Sequence, residues 1–199
     1  MMGQFINYAR KHMPKNRREI DKEEKKQEVI EVAQQLFLSD GYYKTSMAQV
    51  AKSAGIAPNT IYWYFKNKNA LFAEVISAML AVHLQAFQQR VDFPFEENVL
   101  WALERLSETR PLAAPLHELM DESEEVARVH DNFHRLVKAS AMQFLLRQGA
   151  GESDAENLVA IWEHVLEGLL LHSADETERK RVCDFLLKVT KKIIRDGMD

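Results

Sequence analysis

The chain has 199 residues, 46% of them hydrophobic, a formal net charge of −4 and a single cysteine, Cys183. That length admits one sizeable core, or a small unit joined to a larger one. One cysteine excludes an internal disulfide and points to a reducing, cytoplasmic setting; no run is expected to reach the ~18 apolar residues of a membrane span, and no apolar stretch follows the early charges as a signal peptide requires.

The charge is unevenly spread. Residues 1–70 carry twelve Lys and Arg against seven Asp and Glu, and residues 71–199 carry fourteen against twenty-three. A basic head on an acidic body suggests a polyanion partner for the head. Residues 1–20 show no helical apolar stripe and are expected to form a flexible basic arm; a merely solvated tail is the plainer account of that segment taken alone.

From Lys22 the pattern turns helical. Val29, Ala33, Leu36 and Phe37 share one face, and Asp40-Gly41 closes the helix. Ser46 and Gln49 have capping-box spacing before a second apolar face of Met47, Val50, Ala51 and Ala54. Gly55 ends that helix, and Pro58 suits the first turn of another. Helix, glycine turn, helix is the helix-turn-helix unit, whose second helix enters the major groove of DNA.

The segment "NTIYWYF", residues 59–65, places four aromatic side chains in succession. Each helical residue advances about 100°, so four consecutive rings cannot all face a core. Ile61 and Phe65, four apart, are expected inward, with Asn59, Thr60, Trp63 and Tyr64 on other faces. Hydroxyls of Thr60, Tyr62 and Tyr64 suit phosphate oxygens, as do the ammonium groups of Lys66 and Lys68. Asn59, Thr60 and the edge of Trp63 suit base edges or thymine methyls.

Beyond Asn67 the pattern predicts helices over 68–91, 95–109, 123–148, 154–172 and 176–196. A segment at 112–120 containing Pro115 is expected to be kinked or broken. Ser153 with Glu156, and Asp175 with Glu178, have the spacing of helix-opening caps. No strand is evident, and the fold class is all-α. Leu158, Trp162, Val165, Leu166 and Leu169 make a stripe wider than one core contact, and Val182, Phe185, Val189 and Ile193 make a second. Two such helices per chain suit a four-helix interface between two copies; a wholly intramolecular core is the other account. His130 and His134 have a metal-compatible spacing without an evident third ligand, so no metal or cofactor is expected. Cys183 is expected as a small buried residue.

The string "TSMAQVAKSAGIAPNTIYWYFKNKNALF", with the helix before it, resembles the DNA-binding domain of tetracycline-repressor-like (TetR) transcriptional regulators over Val29 to Phe72. The resemblance implies a helix-turn-helix domain over 21–67, after an arm at 1–20, and a helical effector-binding and dimerisation domain over 68–199. It implies DNA-binding positions at Thr45, Ser46, Pro58, Asn59, Thr60, Tyr62, Trp63, Tyr64, Lys66 and Lys68. Of these, Thr45, Tyr62, Tyr64 and Lys68 would hold phosphates, and Pro58, Asn59, Thr60 and Trp63 would lie at the bases. Ala57 stands where the family often has Ser, and Asn59 where it often has Gly or Ala, which removes a cap and crowds the backbone approach to DNA. The resemblance also implies an effector cavity in the region of Met79, His83, Trp101, Met120, Phe133, His134 and Phe144, residue types that otherwise serve as ordinary core. The resulting expectation is a homodimeric repressor, not an enzyme, released from a pseudo-palindromic operator by a small molecule. A helical metal-dependent enzyme around Asp131-Asn-Phe-His134 and a DNA-binding dimer without an effector are the alternatives.

Overall fold

A computed structural model describes residues 17–90, 92–171 and 175–196, and all regular structure among them is helical. The first helix, α1, runs Arg17–Ser39. It therefore begins inside the stretch expected as an arm; residues 1–16 of that stretch lie outside the described residues. The sequence "RREIDKEEKK" accounts for the early start, because strong helix formers with alternating charge support a helix without an apolar stripe. The Asp40 N–H donates to the Leu36 carbonyl at 2.9 Å, and Gly41, at φ 88°, turns the chain out of the helix.

α2 spans Met47–Ser53, with both reciprocal bonds of the capping box formed between Ser46 and Gln49. Gly55 follows at φ 68°, a backbone region that a side chain makes costly. The expected second helix of the unit is shorter than predicted. It is a single 3-10 turn, Thr60–Trp63, with Asn59 giving no side-chain cap. The missing serine at Ala57 is consistent with this: the Thr60 N–H bonds the Ala57 carbonyl at 2.9 Å, and no side chain caps the turn.

α3 spans Lys68–Gln88 and opens on Asn67, whose Oδ1 accepts the Ala70 N–H at 2.8 Å. By length and composition α3 is apolar enough to cross a membrane, which corrects the expectation that no run is. Its apolarity has a local cause: Leu71, Phe72, Val75, Ile76 and Leu80 are buried where the helix packs on α1 and α5.

α4 spans Phe95–Glu118 as one helix, passing through Pro111 and Pro115. The expected break at 109–112 does not occur. Each interior proline removes a backbone bond and costs roughly 3 kcal/mol. Leu112, Leu116 and Leu119, at i, i+4 and i+7, pack into one core from this helix, and burial of each offsets about 1.5–3 kcal/mol. α5 spans Glu124–Arg147 behind the Ser123 cap, and Gly149 follows at φ 94°. α6 spans Glu152–Leu171. Ser153 thus lies inside its first turn and not at its cap; the Ala155 N–H bonds the Gly151 carbonyl at 2.8 Å instead. α7 spans Glu176–Asp196, opened as expected by Asp175, whose Oδ1 accepts the Glu178 N–H at 2.7 Å.

Two apolar cores result. The first gathers α1, α2, the 3-10 turn and the first half of α3 around Phe37, Tyr42 and Phe72, whose ring centroids lie 4.8–5.7 Å apart. Leu112, Leu119 and Val126 from α4 and α5 belong to the same core, so the amino-terminal unit is seated on the rest of the chain by continuous packing. The second core joins Phe144, Leu145, Leu158, Leu187 and Ile194 from α5, α6 and α7. Cys183, on α7, is buried as expected, and burial raises its thiol pKa.

Candidate nucleic-acid interface

Ile61 and Phe65 are buried, anchoring the 3-10 turn to the first core, while Tyr62 and Trp63 between them are turned outward. Trp63 is 78% exposed and Tyr62 is 54% exposed. Leaving a tryptophan this open forgoes most of the burial its ring offers, so the arrangement displays the rings and does not pack them. Pro58, Asn59 and Lys66 are exposed beside them, Ser46 is exposed at the head of α2, and Thr60 is half-buried. Tyr64 is also half-buried and packs its ring against the first core. These seven residues lie along the turn, and Ser46 stands at the head of the neighbouring helix.

The framework holding this run is tied down from behind. Lys25 of α1 donates to the Ala54 carbonyl at 3.2 Å, at the end of α2. Lys26 pairs with Glu74 of α3 at 2.8 Å and lies 5.9 Å from the Phe65 ring centre.

Two residues assigned to phosphate contact are turned inward. Thr45 is 2% exposed, and its hydroxyl donates to the Gly41 carbonyl at 2.9 Å. Lys68 donates to the carbonyls of Tyr42 and Thr45 at 2.9 and 3.1 Å, with its ammonium 4.0 Å from the Tyr42 ring centre. Both side chains satisfy the loop that carries Tyr43 and Lys44. Carbonyls of a tight loop need donors, and a lysine in the first turn of α3 reaches them. Sequence reasoning passed over Tyr43 and Lys44, which are exposed in that loop. The signal for them was available, a tyrosine and a lysine just ahead of Thr45 and the capping serine, Ser46. The Tyr43 hydroxyl donates to the Glu118 carboxylate at the end of α4.

A cavity of about 330 Å³ lies between α3, α4, α5 and α6. The structure brings Met79, His83, Trp101, Phe133, His134 and Phe144 together in its wall. Met120 is not among them: it packs against the first core, because it falls just past the end of α4 and on the amino-terminal side. Burial holds the His83 imidazole below its ordinary pKa. His134 shares Glu163 with Lys138, at 2.7 and 2.9 Å. Burial pushes the Glu163 carboxyl up, but the hydrogen bonds from Lys138 and His134 outweigh it and leave it below the usual range. His130 does not use His134 alone; the structure sets it against His117 and Glu167, a grouping that sequence spacing could not find because the three lie on different helices.

The two stripes assigned to a dimer seam divide between faces. Leu158 is buried in the second core, and Trp162 and Leu166 line the cavity. Trp162 is held inward by its indole N–H, which donates to the buried Thr190 hydroxyl at 3.0 Å. Ile193 packs on the second core. Leu158 is therefore covered within its own chain, while Trp162, Leu166 and Ile193 are half-buried with part of their surface committed to it. Val165, Leu169, Val182 and Val189 remain half-buried in the single chain, and Ile161 and Phe185 are 46% and 65% exposed.

Comparison with known proteins bears on the amino-terminal unit most directly. The family model for bacterial regulatory proteins of the tetR family matches residues 29–75. The chain is 33% identical over 105 residues to the HTH-type transcriptional regulator YhgD of Bacillus subtilis, an alignment covering 52% of this chain and 55% of that one. It is 42% identical over 53 residues to the HTH-type transcriptional regulator AcrR of Shigella flexneri, covering 27% of this chain and 25% of that one. The matched stretches thus span about half and about a quarter of those relatives. A solved transcriptional regulator from Aquifex aeolicus aligns over 85% of this chain and 99% of its own, at 25% identity and a TM-score of 0.64. The helix-turn-helix core, residues 29–75, is thus matched by the tetR family of bacterial regulatory proteins, and the helical architecture over 85% of the chain is similar to that of a solved transcriptional regulator.

Proposed function

We propose that the chain is a sequence-specific DNA-binding transcriptional regulator, a homodimeric cytoplasmic repressor and not an enzyme, released from its operator when a small molecule fills the cavity. The observation that carries this reading is the contrast within one turn: Ile61 and Phe65 are buried, while Tyr62 and Trp63 between them are open to solvent. A short element anchored at both ends with two exposed rings between the anchors is suited to insertion into a major groove. Tyr62, Tyr64, Lys66 and Lys44 are proposed to hold phosphates, and Pro58, Asn59, Thr60 and Trp63 to meet base edges. Ser46 is proposed to sit at the backbone, where the amino-terminus of α2 favours an anion.

The cavity volume lies within the roughly 300–1,000 Å³ of small-molecule sites. Its wall is largely apolar, with His83, Arg105 and His134 among its few ionisable groups, so the favoured effector is an apolar molecule with a polar group. α4 provides the coupling. It lines the cavity through Trp101 and Leu116, and its last residue, Glu118, accepts the Tyr43 hydroxyl in the loop before α2. A ligand that favours one placement of α4 thereby favours one placement of the DNA-facing loop, which is a population shift between two packed states.

Selection of genomic fragments by the purified protein tests the reading. A pseudo-palindrome with half-sites about one helical turn apart is expected. Binding that depends on salt alone, with equal affinity for every sequence, would refute it.

A further inference from the structure

We propose that His117, His130 and Glu167 form a binding site for a divalent transition-metal ion of the zinc class at the wall of the cavity. The three come from the last turn of α4, from α5 and from α6, and one ligand atom from each lies within 4.8 Å of the others. The His117 Nε2 is 3.4 Å from the Glu167 Oε1, and the His117 and His130 rings are 5.0 Å apart between centroids. The Nε2 of His130 is buried without a hydrogen-bond partner. A buried polar atom left in this state costs about 1–3 kcal/mol, and a metal ion removes that cost with the chemistry an imidazole nitrogen suits best.

The donor set decides the class of ion. Two imidazoles and one carboxylate match zinc and its near relatives cobalt and nickel, whereas calcium and magnesium ask for oxygen donors. Three protein ligands leave a fourth position, and His117 and Glu167 both line the cavity, so that position opens toward a cavity ligand. The surroundings give the cluster support. Asp131 Oδ1 stands 3.4 Å from His130 Nδ1, the placement of a carboxylate that orients a ligating histidine. His134, whose ring lies 4.3 Å from that of His130, is held by Glu163 and stays outside the set. The inference rests on this cluster and not on the DNA-binding reading.

The test uses the full chain, stripped with a chelator and titrated with Co²⁺ and Zn²⁺ in the absence of DNA. One equivalent per chain is expected, with the visible absorption of four-coordinate cobalt and a rise of the unfolding midpoint in Zn²⁺. Glu167→Gln keeps the side-chain shape and should weaken binding at least tenfold, with its metal-free unfolding midpoint close to that of the wild type. His130→Ala should do the same, and His164→Ala, at an exposed histidine of α6, should change nothing. Absence of stoichiometric binding overturns the proposal, and so does binding that survives both Glu167→Gln and His130→Ala. Because neither readout involves DNA, such a result leaves the regulator reading standing, and loss of DNA binding would leave the metal site standing.

Discussion

Lys68 caps the loop below it: its ammonium donates to the carbonyl of Tyr42 at 2.9 Å while lying 4.0 Å from the centre of the same residue's ring. One side chain from the first turn of α3 thus fixes both the backbone and the ring of the residue that introduces the DNA-facing loop. The contact has an electrostatic cost, since burial lowers the Lys68 pKa, and the carbonyl and ring partners offset it.

Lys68→Met is therefore expected to destabilise the fold by about 1–3 kcal/mol, the range for hydrogen bonds to a charged group. Urea unfolding measures this directly. DNA affinity should fall as the loop loosens, but the slope of affinity against salt should stay unchanged, because the ammonium neutralises no phosphate. A slope reduced by one unit would return Lys68 to the phosphate contacts.

Trp63 and Lys66 should separate in the opposite sense. Both are exposed, and surface substitutions of this kind usually move stability by less than about 0.5 kcal/mol. Trp63→Ala should cost ~1–3 kcal/mol at the preferred operator and little on unrelated DNA. Lys66→Ala should weaken both alike and lower the salt slope by about one. Gel-shift titrations of both variants at several salt concentrations give the two quantities together.

The helix-turn-helix was legible in the sequence because its signals are local. Ser46 and Gln49 cap one helix, Gly55 needs its left-handed backbone, and Ile61 and Phe65 repeat at four residues. What was not legible depends on long-range partners. Nothing near Lys68 in sequence says that its carbonyl acceptors lie 23 and 26 positions upstream. Pro111 and Pro115 read as breakers because their cost is local, while the burial of Leu112, Leu116 and Leu119 that offsets it is tertiary. The face that Trp162 takes is decided by Thr190, on another helix. The ring of His117 next to His130 is a product of helix packing that no spacing rule contains.

Tyr42 supplies a pH dependence. Burial, then the neighbouring Tyr43 and Glu122, pushes its hydroxyl from 10.0 up to about 12. The folded state therefore keeps this proton over a range in which the unfolded state has lost it. Its stabilising contribution is complete below pH 10 and declines as pH rises from 10 toward about 12. Tyr42→Phe removes the hydroxyl and its bond to Asn69, so the variant should start less stable and lose less over this range. Urea midpoints between pH 9 and 12 for both proteins check the sign, and parallel curves would show that Tyr42 does not contribute.

The dimer prediction turns on which faces of α6 and α7 remain uncovered. Ile161, Val165 and Leu169 recur at i, i+4 and i+8 on α6, and Val182, Phe185 and Val189 at i, i+3 and i+7 on α7, all exposed or half-buried in the single chain. Gly168 stands among them, and among the described residues no other element comes within 4 Å of the place a Cβ would take. A two-fold pairing of these helices would cover both rows and present two DNA-facing turns on one side. A stable association of this kind buries at least ~1,200 Å². Phe185→Glu places a charge in that seam and alters no core contact, so it should yield folded monomers with sharply weakened operator binding. Leu166→Glu acts on the cavity wall instead: it should leave the dimer intact while lowering stability by roughly 1–3 kcal/mol through burial of a polar group. Analytical ultracentrifugation of the wild type and both variants separates these outcomes, and a Phe185→Glu protein that sediments as a dimer would place the interface on another face.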